Sequence, residues 1–436
     1  MVIKRDFYLN KLIDRRGNGR IKIITGIRRC GKSVLLFDLF GYYLRESGVK
    51  AGQIIALKLD IAANARYRNP LELDRYVRDR IADSGTQYYV LLDEVQEVVA
   101  VQNPWLDDKS ATIGFVDVLL GLMDMRNVDV YVTGSNSKML SSDIMTEFRD
   151  RGDEIHVNPL VYREFYSAYK GDRSLAWQEY VTYGGLPRIL SERTDEDKSN
   201  YLRDLIRKTY LTDVLERNNL QNDITVLDDL LNVVASCIGS LTNPAKLERT
   251  FATVSRKSIS DSTICAYLNF FMEAYMLRKA NQYDIKGRKY IGTPQKYYFT
   301  DIGLRNAQLN FRQQEETHIM ENILFNELCA RGFNVDVGVV EYNYKDSEGK
   351  SKRTRLEVDF VANKGSRRCY IQSAFAIPDE DKRRQETNSL RRINDSYSKI
   401  VVVRGRIKPW HDEDGILFIG IEDFLLSYID ELAQQL

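Results

Sequence analysis

Histidine is scarce in this chain of 436 residues: there are three, His156, His318 and His411, far apart in sequence. That scarcity argues against a histidine-rich metal centre. The five cysteines (Cys30, Cys237, Cys265, Cys329, Cys369) are scattered, odd in number and never form a C-x-x-C pair. Neither a disulfide framework nor a zinc ribbon is indicated. No apolar run approaches the roughly 18 residues that a membrane-spanning helix needs. The opening residues, MVIKRDFYLNKLIDRR, lack the uninterrupted apolar core of a signal peptide. The expectation is a soluble, cytoplasmic protein without a membrane partner. An excess of one charge is also lacking, with 63 Lys+Arg against 62 Asp+Glu, so any polyanion site must be a local patch. Apolar residues make up 43%, enough for several cores. At about 100–200 residues per domain, the length suggests two to four domains.

Against that background one stretch stands out. Residues 21–25 (IKIIT) are apolar and β-branched, as a buried parallel strand requires. Gly26-Ile27-Arg28-Arg29-Cys30-Gly31-Lys32-Ser33 follows and satisfies G-x-x-x-x-G-K-[ST] at every fixed position. Val34 then opens VLLFDLFGYYL, with helical apolar spacing. Strand, glycine loop and helix are the context in which this motif cradles phosphate. Glycines allow close approach, and successive backbone N–H groups turn inward. Residues Gly26 to Val34 are therefore the candidate ATP-binding segment. Lys32 would reach the β- and γ-phosphate oxygens and Ser33 would hold Mg²⁺. Cys30 fills a variable loop position, with a redox switch as the lesser alternative.

A second buried-strand run, Tyr88 to Leu92, ends in Asp93-Glu94. Acids at the carboxyl end of a parallel strand face the ligand crevice. Asp93 is the candidate Mg²⁺ ligand, and Glu94 the group that orients or deprotonates the attacking water. QIIALKLD (Gln53–Asp60) inserts a further strand between the two motif strands. A third run, Val128 to Thr133, leads into Gly134-Ser135-Asn136-Ser137. Thr133, Ser135 and Asn136 could bond the γ-phosphate or the lytic water, or form an ordinary turn. Arg149 and Arg151 precede the strand-like EIHV. Arg151 is the preferred candidate for reaching a neighbouring subunit's γ-phosphate, with a solvated charge cluster as the alternative.

GIRRCGKS, YVLLDEVQ, VYVTGSNSKML, FRDR…HVNPLVYREF, VTYGGLPRIL and KYYFTDIGLRNA occur in that order, followed by EVDFV…YIQ. In these motifs the chain resembles the prokaryotic AAA+-like ATPases that carry a C-terminal domain of unknown function 4143. The resemblance implies an AAA+-type core followed by a small helical lid that contains VTYGGLPRIL. Arg188 is then either a lid arginine near the nucleotide or a surface residue.

Three amphipathic helices and a strand pair, MLRKANQYD and KYYFTD, follow the lid, an order typical of winged helices. Arg256 and Lys257 before the third helix, and Lys286, Arg288 and Lys289 at the strand-pair tip, could bind DNA phosphates. That helix lacks exposed Arg, Asn or Gln for reading base edges. The last part reads αβββαβ, which resembles the PD-(D/E)xK nuclease fold. Asp359 is present, but Gln372 and Ala374 stand where an acid and a lysine are needed, and Glu321 and Glu357 do not readily replace them. A neutral amide is a poor Mg²⁺ ligand, so this part is expected to be catalytically inactive. Basic clusters at Lys350, Lys352, Arg353 and Arg355, at Arg367 and Arg368, and at Lys382, Arg383 and Arg384 could line a binding face or simply be solvated.

The expected fold is therefore α/β. An AAA+-like P-loop core, a parallel sheet with helices on both faces, spans 1–160. A helical lid spans 161–220, a winged-helix-like domain 221–312, and a restriction-endonuclease-like α/β domain 313–436. The expected function is Mg²⁺-dependent ATP hydrolysis coupled to a rear module that binds DNA. The alternatives are an ATP-controlled switch or scaffold for a protein partner and, less favoured, an active Mg²⁺ nuclease. Monomer, dimer and hexamer stay open, because a finger arginine requires a homo-oligomer.

Overall fold

The three apolar runs become strands that are buried at every position: β1 (Ile21–Thr25), β3 (Tyr88–Asp93) and β6 (Val128–Thr133). Burial on both faces is what a parallel sheet between helix layers demands, so these strands read as continuous apolar runs. The computed structural model describes residues 2–135, 151–218, 220, 224–255, 259–312, 315–345 and 349–435. The chain divides into two units, Met1–Pro159 with Glu273–Tyr275, and Leu160–Met272 with Met276–Leu436.

In the first unit, β2 (Ile54–Lys58) and β7 (Gly152–His156) complete a five-stranded sheet in the order β2-β3-β6-β1-β7. All four pairings are parallel. A short hairpin, β4 (Val101–Gln102) with β5 (Thr112–Ile113), lies apart from this sheet. One sheet face (Ile23, Leu57, Val90, Leu92, Val130, Val132) packs on Leu73 and Val77 of helix Pro70–Arg78 and on Val118, Leu119 and Leu122 of helix Phe115–Met123. The alternate residues point the other way. There Tyr131 meets Phe40, from the helix after the glycine loop, at a ring separation of 4.5 Å. The strand inserted in sequence between the two motif strands, β2, lies outside β3 in space. It is β6 that lies between β1 and β3. The end of β6 therefore falls between the glycine loop and the Asp93-Glu94 pair.

The second unit accounts for two motifs that carry no evident chemistry. Helix Ala176–Tyr183 ends at Gly184, in the left-handed region at φ +75°. A Cβ on Gly184 would lie 2.2 Å from Asp301 Oδ1, and one on Gly303 would lie 2.0 Å from the Tyr183 carbonyl. The buried Asp301 carboxylate accepts N–H bonds from Gly185 at 2.7 Å and Leu304 at 3.2 Å. Asn306 donates to the Val181 and Thr182 carbonyls, occupying acceptors that a helix end leaves open. YGGLP and TDIGLRN thus form one backbone-to-backbone joint, where any side chain larger than hydrogen would collide. Arg188 is exposed, pairs with Glu192 at 2.7 Å and lies over the Tyr201 ring.

Helices Ile224–Ser236, Pro244–Ser255 and Asp261–Glu273 precede the antiparallel pair β8 (Leu277–Asp284) and β9 (Lys289–Phe299). That is the element order expected of a winged helix. The hairpin, however, continues into a larger sheet, because β8 pairs in parallel with β10 (Asn334–Lys345). With β11 (Ser351–Lys364), β12 (Arg367–Ala374), β13 (Ser398–Val403), β14 (Trp410–His411) and β15 (Leu417–Gly420), the result is an eight-stranded mixed sheet, β14-β15-β13-β12-β11-β10-β8-β9. The order αβββαβ is present from helix Glu316–Ala330 through β13. The likeness to a restriction endonuclease rests on that order alone, and the observed sheet takes in the hairpin as well.

Candidate functional site

The glycine loop is shaped by three positive φ angles, +137° at Gly26, +67° at Arg29 and +101° at Gly31. At Gly26 no other residue fits, since a Cβ there would come within 2.2 Å of the Val157 carbonyl. Two long-range contacts hold the loop from behind. The Cys30 thiol donates to the Val157 carbonyl at 3.3 Å. The Arg5 guanidinium, 4% exposed, donates to the Cys30 carbonyl at 3.1 Å and to the Asn158 carbonyl at 2.8 Å. Cys30 is fully buried and burial pushes its thiol up from the ordinary value, so the redox alternative loses its chemical basis. Arg5 gave no signal in the sequence, because an isolated arginine far from the loop carries no spacing to read.

Lys32 is 4% exposed, and its ammonium donates to the loop's own carbonyls, Gly26 at 3.0 Å and Ile27 at 3.2 Å. Among the described residues no carboxylate pairs with it. A buried cation held only by two neutral carbonyls is what an incoming phosphate would recruit. Arg28 is half-buried, while Arg29 and Val34 are exposed at the loop surface.

Asp93, 2% exposed, ends β3. Its carboxylate accepts from the Thr133 hydroxyl, and the Ser33 hydroxyl is near enough to act on it. Burial pushes its pKa above the usual carboxylate range, and those two hydroxyls pull it back. Glu94 follows with φ +55°, left-handed, and its N–H donates to Thr133 Oγ1 at 3.0 Å. Ser135, 1% exposed, donates to Glu94 Oε2 at 3.3 Å. Gln96, to which its sequence context assigns no role, also donates to Glu94 Oε2. The topology thus brings together Lys32, Ser33, Asp93, Glu94, Thr133 and Ser135. Asn136 and Arg149 lie outside the described residues. The oxygen set of Ser33 and Asp93 suits a hard dication, and the loop with Lys32 suits a triphosphate, so the residues present fit ATP with Mg²⁺.

Arg151 lies elsewhere. It immediately precedes β7, whose first residue, Gly152, is in register with Ile21 at the start of β1. The glycine loop follows the other end of β1, about 13 Å away at 3.3 Å per residue. The Arg151 side chain is exposed.

In the second unit Glu321 and Glu357 converge on a lysine from β9. Lys296, 2% exposed, lies 2.8 Å from Glu321 and 2.6 Å from Glu357. Burial opposes its charge, but Glu321, Asp359 and Glu357 outweigh that and hold the ammonium above its ordinary value. Asp359 is pushed up, first by burial and then by Glu321, and accepts the Ser373 N–H at 2.7 Å. Gln372 accepts the Asp359 N–H through its carbonyl at 3.4 Å. The two carboxylates are thus engaged by an ammonium, and burial holds the third above its ordinary value.

Of the cations in the basic clusters, Arg353 and Arg355 both pair with Glu341, Arg383 and Arg384 with Glu380, and Lys382 with Glu386. Arg368 lies over the Tyr283 and Tyr397 rings. By contrast Lys286, Arg288 and Lys289, at the β8–β9 tip, are exposed, and among the described residues none has an ion-pair partner. Arg256 and Lys257 lie outside the described residues.

No helix among the described residues is long and apolar enough to cross a membrane. Two family models match the chain. One, described as an AAA domain, covers residues 18–166. The other, a domain of unknown function (DUF8612), covers residues 174–315, where the motif resemblance points to domain 4143 instead. An uncharacterized protein of Haemophilus influenzae is 32% identical over 432 residues, covering 98% of this chain and 99% of its own length. An uncharacterized protein of Methanocaldococcus jannaschii is 27% identical over 437 residues, covering 97% and 88%. A solved structure, the Walker-type ATPase of Pyrococcus abyssi, is similar over 71% of this chain and 96% of its own, at 13% identity and a TM-score of 0.49. Identity sustained over nearly the whole of both chains places this protein in the family of the Haemophilus influenzae protein, and its front part matches the AAA-domain model.

Proposed function

We propose that the chain binds and hydrolyses ATP with Mg²⁺ in its first unit and couples nucleotide state to DNA binding in its second. The observation that carries this reading is the meeting of Ser33 and Asp93, the loop hydroxyl and the strand-end carboxylate. In a P-loop ATPase these two groups hold the dication, which neutralises charge on the β- and γ-phosphate oxygens. Lys32 exchanges the Gly26 and Ile27 carbonyls for phosphate oxygens. Glu94 takes a proton from the attacking water as its oxygen bonds the γ-phosphorus. The bond to the bridging oxygen breaks, and its electron pair leaves with ADP. Ser135 supports Glu94 through its hydroxyl, which donates to Glu94 Oε2. Arg151, remote from its own loop, could serve only the site of an adjacent copy, so its role presumes a homo-oligomer.

The β8–β9 tip supplies the DNA contact. Lys286, Arg288 and Lys289 are exposed and free to meet phosphates. The second reading, a protein partner, is favoured by the pairing of Arg353 and Arg355 with Glu341, which removes cations from a DNA face. Turnover of ATP, measured with and without single- and double-stranded DNA across a salt series, separates the two. DNA-dependent turnover that weakens with salt supports the first; indifference to DNA at low salt supports the second. Lys32→Ala should reduce turnover by at least about 100-fold, and Glu94→Gln should retain ATP while stopping its hydrolysis. Neither reading includes DNA cleavage. Mg²⁺-dependent cutting abolished by Asp359→Ala would overturn that part.

A further inference from the structure

Gln96, two residues beyond Glu94, has no assigned part in that hydrolysis. A short 3₁₀ turn, Val95–Glu97, follows the left-handed Glu94 and brings the Gln96 side chain back over it. Gln96 Nε2 donates to Glu94 Oε2, the same oxygen that receives the Ser135 hydroxyl. Gln96 Oε1 is buried and has no hydrogen-bond partner among the described residues. A buried carbonyl left without a donor costs free energy, and such groups persist mostly where something else supplies the donor.

We infer that Gln96 is a positioning residue for the hydrolytic water, and that its free carbonyl accepts a hydrogen bond from the O–H which Glu94 does not deprotonate. This rests on the ATP-hydrolysis reading and deepens it. Two donors on Oε2 fix the Glu94 carboxylate and leave its other oxygen, Oε1, as the proton acceptor. Water attacking phosphorus carries two O–H groups. One proton passes to Glu94 Oε1 as the new P–O bond forms and the bond to ADP breaks with its electron pair. The other O–H points at Gln96 Oε1 and stays intact through the step. With both O–H directions fixed, the lone pair of the water is aimed at the γ-phosphorus. The amide of Gln96 performs both tasks because it is a donor at one end and an acceptor at the other.

The test uses the full chain with Gln96→Leu, which removes both groups, and Gln96→Glu, which keeps an acceptor and replaces the donor with a like charge facing Glu94. Turnover, KM and equilibrium binding of ATP are measured for both variants beside wild type and Glu94→Gln. The expected result is a fall in kcat of at least about tenfold in both, with KM and ATP affinity within about threefold of wild type. If wild type turns over ATP and Glu94→Gln does not, yet both Gln96 variants stay within about twofold of wild type, this inference alone fails. Loss of ATP affinity in step with kcat would make Gln96 a structural support and also overturn it. Absence of turnover in wild type would overturn the hydrolysis reading, and this inference with it.

Discussion

The Thr133 hydroxyl donates to the Asp93 carboxylate, and the same oxygen receives the N–H of Glu94 at 3.0 Å. One side chain on β6 therefore ties down both acids at the end of β3. Asp93 is held on the strand, in contact with Ser33, while Glu94 turns into the left-handed region. Two adjacent acids are thereby given different surroundings, which suits different tasks.

Gly26→Ala tests how closely the loop is built. The new Cβ would meet the Val157 carbonyl at 2.2 Å, with the backbone at φ +137°. The strain of such a position is about 1–3 kcal/mol. The expected outcome is a loss of ATP affinity of at least about tenfold with a modest fall in melting temperature, read by titration calorimetry and thermal unfolding. Unchanged affinity would show that the loop adapts.

At the β8–β9 tip, alanine at Lys286, Arg288 and Lys289 should weaken DNA binding irrespective of sequence. The slope of log K against log salt should become shallower by about 2–3, close to one for each phosphate that no longer meets a cation. ATP turnover without DNA should not change. An unaltered slope would move the DNA contact elsewhere or favour the protein partner.

Lys296→Met removes the ammonium between Glu321 and Glu357, leaving Glu321 buried without its cation. Breaking a buried pair from one side costs about 3–5 kcal/mol. A fall of that order should appear in chemical denaturation of the second unit. If Lys296→Met is as stable as wild type, the cluster is not a structural ion pair.

His318 gives a pH signature. The Glu321 carboxylate, 3.9 Å from Nδ1, raises its pKa above the ordinary 6.5; burial opposes, Glu315 adds and Lys296 subtracts. A raised histidine contributes stability that is fully present below the unfolded value and is lost as pH climbs through the folded one. The stability difference between wild type and His318→Gln should therefore be greatest below about pH 6.5 and shrink as the solution becomes more alkaline. A difference that does not vary with pH would count against the Glu321 contact.

Legibility varied with the range of the interaction. The phosphate loop, its flanking strand and helix, and the acids ending β3 stood out because each is a contiguous run whose residue types are fixed by local backbone demands. Gln96 was just as visible in DEVQ, but its importance depends on a turn that folds it back over Glu94, and spacing alone gives no reason to choose it. Arg5 and Lys296 could not be singled out. Each meets its partners only after distant segments pack, and a lone cation has no pattern.

By itself the sequence determined that a buried strand would deliver a glycine loop, a lysine and a hydroxyl to one point, because period, glycine placement and apolar runs are set residue by residue. Only the tertiary structure decided that β6 lies between β1 and β3, so that Thr133 joins Asp93 and Glu94. It also decided that β8 pairs with β10 and draws the hairpin into an eight-stranded sheet, and that Lys296 joins the acids of the second unit. The reason is that strand order and cross-chain pairs depend on which apolar faces bury each other, and many orders satisfy the same local pattern.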